Sequence, residues 1–124
     1  MTIRLAESGL ARIGEAIVAA GYPHVAVVVD PFIRQPNGVE VFVCCCKPGW
    51  QEIYCSALVQ NSEVDRFDEL SNDMARDIVA QVELAWSQRA PDVHRARWVA
   101  DKRNWSGVYS QLWLSETAAA GSQG

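Results

Sequence analysis

Apolar residues first recur along the chain with helical spacing. Leu10, Ile13 and Ile17 fall at i, i+3 and i+7, Ala6 and Ala20 extend the stripe, and Arg4, Glu7, Arg12 and Glu15 take the opposite side. The spacing predicts a helix over residues 3–20, stopped by Gly21 as a left-handed cap and by Pro23 as a breaker. The period then shortens. Residues 24–30 are rich in valine and nearly continuously apolar, which predicts a strand buried on both faces and halted by Pro31. Pro36-Asn37-Gly38 is a turn signal, residues 39–46 form a second strand, Lys47-Pro48-Gly49 turns the chain again, and residues 50–60 form a third.

A two-residue loop pairing Lys47 with Trp50 sets a register in which Phe42 faces Cys55, Cys44 faces Ile53 and Glu40 faces Ala57. One sheet face then carries Phe42, Cys44, Cys46, Ile53, Cys55, Ala57 and Val59 and suits a layer of helices. The other carries Val39, Val41, Val43 and Cys45 with Trp50, Glu52, Tyr54, Ser56 and Leu58. That second face is too apolar to stand in water, so a cover is expected, from the C-terminal aromatic segment or from a second copy of the chain.

Asn61 and Ser62 offer a cap for a second helix over residues 63–88, striped by Phe67, Leu70, Met74, Ile78, Val82 and Ala85 and ended by Pro91; Ser71-Asn72-Asp73 is a candidate break. Residues 93–115 fit either a helix or alternation. Their aromatic and β-branched content, with 104–107 as a turn, favours a hairpin of residues 95–102 with 108–115. The expected fold class is α+β: one antiparallel sheet of three to five strands, helices mainly on one face, in the order α-β-β-β-α followed by the hairpin. Residues 1–117 make a single domain and 118–124 a flexible tail. At 124 residues and 49% hydrophobic content, such a domain holds a core without disulfides or metal.

Charge changes the picture more by its distribution than by its total of −4. From residue 63 to 86 seven acids stand against two bases, a local −5; from 89 to 103 five bases stand against two acids, a local +3. The total argues against a general nucleic-acid binder. The stretch from Arg95, Arg97 and Trp98 to Lys102, Arg103, Trp105 and Tyr109 mixes cations with rings, a pattern able to hold phosphates and stack bases, although arginines flanking core tryptophans explain it too. The helix–three strands–helix order resembles the double-stranded RNA-binding domain. In that family a basic start to the last helix meets phosphate, whereas here the helix begins with Glu63, Asp65, Asp68 and Glu69, which repel it. The same order also resembles the small, acidic, dimeric chaperones of type III secretion.

Candidate chemistry is sparse. Cys44, Cys45, Cys46 and Cys55 crowd into twelve residues, and in a strand Cys45 points away from Cys44 and Cys46, so the run cannot converge on one metal ion. No metal and no cofactor are expected. The crowding and the absence of an apolar N-terminal run predict reduced thiols and a cytoplasmic location. His24 and His94 are the only imidazoles, and no hydrolase or phosphate-loop signature is present. The leading expectation is a non-enzymatic binding protein, an inhibitor, adaptor or chaperone. It presents Glu63, Asp65, Asp68, Glu69, Asp73 and Asp77 to a basic partner, for instance one that normally handles nucleic acid, with no membrane contact and with a homodimer open. The alternatives are a small enzyme or ligand-binding domain using Cys45 or His24 in a pocket, and nucleic-acid binding through residues 95–109.

Overall fold

The structure, a computed structural model, describes residues 4–35, 38–47, 52–87 and 111–115. Helix α1 spans Glu7–Ala19 and starts four residues later than its pattern predicts. The reason lies 106 residues away. The Gln111 side chain accepts a hydrogen bond from the Leu5 N–H at 2.8 Å and donates one to the Leu5 carbonyl at 2.8 Å. Both main-chain groups of a buried residue are satisfied outside the helix, so the helix has nothing to gain by reaching back. Leu10, Ile13 and Ile17 are fully buried, as predicted, whereas Ala6 is exposed. Gly21, at φ +110°, closes the helix: its N–H donates to the Val18 carbonyl and the Tyr22 N–H to that of Ile17, the paired bonds of a Schellman cap.

Four strands form one antiparallel sheet: β1 (His24–Gln35), β2 (Gly38–Cys46), β3 (Ile53–Gln60) and β4 (Gln111–Leu114), in the order β3-β2-β1-β4. Val25 to Val29 of β1 are at most 2% exposed, so the strand is interior and buried on both faces, as its composition requires. Pro31 does not halt it. Between Val29↔Val41 and Arg34↔Val39 four residues of β1 stand opposite Glu40 alone, and the ladder resumes beyond this irregularity. An irregular stretch of that kind has room for a residue without an N–H.

The register of β2 with β3 differs from the expected one by a single residue. Cys45 faces Ile53, Val43 faces Cys55 and Val41 faces Ala57, so partner numbers total 98, not 97. That step turns β2 over. Val39, Val41, Val43 and Cys45 lie on the helix side with Ile53, Cys55, Ala57 and Val59, so β2 and β3 present no polar residue to the helices there. The opposite side carries Ala26, Cys44 and Cys46, packed by Leu112 and Leu114. The connection is longer than two residues: seven (46–52) separate Cys45 and Ile53, the last facing pair. This second face is buried at Ala26, Val28, Cys44 and Cys46 and open at Tyr54 (59%) and Leu58 (45%). Trp113 faces the helices, and the expected cover by Trp98 and Trp105 falls outside the described residues.

The predicted second helix begins as a 3-10 turn over Asn61–Arg66 and becomes α2 at Phe67–Trp86. The break therefore falls ahead of Phe67 rather than at Ser71. Phe67, Ile78 and Val82 are buried as expected, but Ser71 and Ala75 complete the face and Leu70 and Met74 are left half-buried. Small residues let α2 lie close to α1. α1 is itself bare at Gly9, against which the Phe67 ring of α2 rests, and at Gly14, against which the Trp113 ring of β4 rests. Of the expected hairpin, β4 is present and pairs antiparallel with β1, while its first arm lies outside the described residues. Ser115 fastens the end of β4: its Oγ accepts from the Val25 N–H and donates to the Pro23 carbonyl.

A Cβ at Gly14 would fall within the Trp113 ring. Helix propensity favours alanine by about 1 kcal/mol, but overpacking against a core ring costs about 1–3 kcal/mol, and the ring cannot yield without breaking the β4 contacts. Gly14→Ala is therefore destabilising in chemical denaturation. In a Trp113→Leu background the same change becomes neutral or stabilising, a coupling that a double-mutant cycle measures.

Candidate functional site

The six carboxylates expected to meet a partner divide into two groups. Glu63 Oε1 accepts from the Gln60 N–H at 3.0 Å and closes the 3-10 turn after β3. Asp68 ties the two helices together. Its Oδ1 accepts from Ser8 Oγ at 2.5 Å and from Arg12 Nη1 at 3.1 Å. The same guanidinium nitrogen donates to the Asp68 carbonyl at 2.6 Å and to Ser71 Oγ at 2.7 Å. The Ser8 hydrogen bond, ahead of the bond and charge of Arg12, holds the Asp68 carboxyl below its usual range against some desolvation. Arg12, expected on the wet side of α1, is thus half-buried at the helix–helix seam.

Asp65, Glu69, Asp73 and Asp77 are exposed and follow one another at four-residue intervals. Glu69 is 3.8 Å from Arg66, and Asp73 pairs with Arg76. Pairs this exposed contribute little to stability. Beside the row, α1 and α2 enclose a groove of about 680 Å3. Ala16, Ala75 and Val79 supply its apolar surface, and Arg12, Glu69, Asn72, Asp73 and Arg76 its polar surface. The groove could not be read from the sequence, because Arg12 and Ala16 come from a helix more than 50 residues before Glu69. The one available signal was the run of small residues, Ala16 and Ala75, on surfaces that face each other.

The cysteine run alternates as expected. Cys45 lies on the helix side and Cys44 and Cys46 on the other, all three buried, and Cys55 is half-buried. None of the four is joined in a disulfide. Cys44 and Cys55 occupy opposite faces, which excludes a bridge between them. Cys44 Sγ donates to Glu52 Oε2 at 2.6 Å, and the Tyr54 hydroxyl donates to the same oxygen at 2.7 Å. Glu52 is buried, and its role was hidden by the one-residue error in register. His24 stands opposite Cys46 in the ladder, not opposite Cys45, and burial holds its imidazole below the usual pKa, hence neutral at neutral pH. His94 and the basic-aromatic stretch 95–109 lie outside the described residues. Among the described residues no group of three or more His, Cys, Asp or Glu is placed to hold a metal ion. At the far end of α2, Lys47 lies over the rings of Tyr22 and Trp86, 5.1 and 4.5 Å from their centroids. Burial, reinforced by the nearby Glu83, pushes the Tyr22 hydroxyl up to about 12, so the cluster stays neutral at Tyr22 and serves packing.

The Asp68 latch has a pH signature. A carboxylate with a depressed folded-state pKa stabilises the fold above its unfolded value of about 3.8, and that stabilisation is lost as pH falls through the folded value. Asp68→Asn lowers stability at neutral pH and flattens the loss of stability below about pH 4, as read from denaturant midpoints across an acid series. Comparison of the chain with protein-family models, with curated proteins and with solved structures gives no match, which leaves the α1–α2 surface itself as the ground for a functional reading.

Proposed function

We propose that this chain is a non-enzymatic protein-binding module, an inhibitor, adaptor or chaperone, that holds a basic segment of another protein along the α1–α2 groove. The supporting observation is the exposed row Asp65, Glu69, Asp73 and Asp77, of which Glu69 and Asp73 line the groove beside apolar Ala16, Ala75 and Val79. Like charges four residues apart on a helix cost a few tenths of a kcal/mol per pair. The fold recovers little of this, because Arg66 and Arg76 are themselves exposed. A partner carrying lysines or arginines relieves the repulsion and is drawn in by it, so the row acts first on the rate of association. The small residues Ala16 and Ala75 leave space for an aliphatic anchor between the helices. A partner that normally holds nucleic acid has the required basic surface. Glu63 and Asp68 belong to the fold rather than to the contact, so the binding set narrows to the exposed four.

The test uses a fluorescent amphipathic helical peptide with lysines along one face, titrated into the protein at about 0.02 M and about 0.2 M salt. The expected result is binding that weakens at the higher salt and falls about tenfold or more in the triple variant Glu69→Lys, Asp73→Lys, Asp77→Lys, with helix content unchanged. Equal binding by the wild-type and reversed proteins, or none by either, overturns the proposal.

A further inference from the structure

Strand β3 ends the described sheet. It is hydrogen-bonded to β2 on one side, and no other described strand lies along its outer edge. Its sequence, IYCSALVQ, runs eight residues without a charge or a proline in a chain that is 21% charged. Its ladder to β2 continues from Gly38↔Gln60 to Cys45↔Ile53 without a bulge. Edge strands are ordinarily blunted by charge, proline, a bulge or shortness, because open N–H and C=O groups recruit another strand. β3 carries none of these devices.

The surroundings of the edge are apolar on both sides. On the helix side, Cys55 and Ala57 are half-buried although their ladder partners Val43 and Val41 are buried. On the other side Tyr54 and Leu58 stand exposed. Above the edge, α2 packs against both α1 and β3. Asp68 and Val79 mark its α1 side, and at 100° per residue Leu70 and Met74 lie on the opposite flank, where both are half-buried.

We infer that this edge pairs with β3 of a second copy, antiparallel about a two-fold axis normal to the sheet, joining the two sheets into one. An isologous contact sets one patch against its own copy, so a patch of a single charge sign repels itself. The acidic row opposes such a contact through the outer face of α2, whereas the uncharged strand β3 permits it. An axis normal to the sheet keeps the same face up in both copies. With Ser56 on the axis, Tyr54 then stands opposite Leu58 of the partner subunit on one face, and Ile53 opposite Val59 of the partner subunit on the other. Exposed aromatic meets exposed aliphatic twice. This contact leaves the α1–α2 groove open, and it stands or falls independently of the function proposed for the groove.

Sedimentation equilibrium of the full chain is the primary test, with a dimer expected in the wild type. Ser56→Lys places two ammonium groups face to face on the axis, and Leu58→Lys charges the flanking contact. Each is expected to weaken dimerisation by about tenfold or more while circular dichroism shows a folded chain. Ser56→Cys is expected to give a covalent dimer on mild oxidation. The wild type is not, because Cys55 and Cys55 of the partner subunit are diagonal neighbours, about 7–8 Å apart and beyond disulfide reach. A monomeric wild type overturns the inference, including the case in which the edge awaits an extended segment of another protein. So does a dimer indifferent to both lysine variants, or a Ser56→Cys protein that resists cross-linking.

Discussion

A strand buried on both faces cannot stand at the edge of a sheet, and in this protein that constraint falls on Val25 to Val29. The run needs a neighbour on each side and a layer on each face. β2 supplies one neighbour through a short connection. The other, β4, arrives some 80 residues later in the chain, so the C-terminal part of the domain must return to its start. The return is fastened at both ends, by Gln111 to Leu5 and by Ser115 to Pro23 and Val25. Trp113 between them reaches the bare surface of α1 at Gly14. The helices and the sheet thus meet around a seam that ties Leu5 to Gln111, and Pro23 and Val25 to Ser115.

What was legible in the sequence was what is local. The stripe of Leu10, Ile13 and Ile17, the cap at Gly21 and the double burial of β1 follow from periodicity and from single-residue backbone preferences. Register did not, because it depends on whether a loop is odd or even. An available criterion would have settled it: of the two registers, the one that aligns Val39, Val41 and Val43 with Ile53, Ala57 and Val59 makes one face wholly apolar. The rotation of α2 was hidden for a different reason. Hydrophobicity favoured Leu70 and Met74, yet close packing against α1 favoured the smaller Ser71 and Ala75.

The candidate site was half legible in the same sense. Six acids were visible as a group, but the Asp68 partners Ser8 and Arg12 lie more than 50 residues away, so nothing local showed that Asp68 is a latch. Glu63 looked like surface charge and closes a turn instead. Subtracting these leaves charges whose repulsion the fold tolerates without evident return, set beside a groove that a side chain can enter. Surplus charge of one sign on an otherwise well-satisfied helix is a cost that binding can recover.

The central claim is this division between carboxylates that hold the fold and carboxylates held in reserve, and Asp73 and Asp77 test it most directly. Both lie in the middle of α2, away from the favourable dipole of its first turn. The measurement is the urea midpoint of the double variant Asp73→Asn, Asp77→Asn against wild type at low and at high salt. The account predicts a variant at least as stable as wild type at low salt, with any advantage fading as salt rises. A loss of about 1 kcal/mol or more in the double variant at either salt would contradict it, since it would place these carboxylates among those that build the fold.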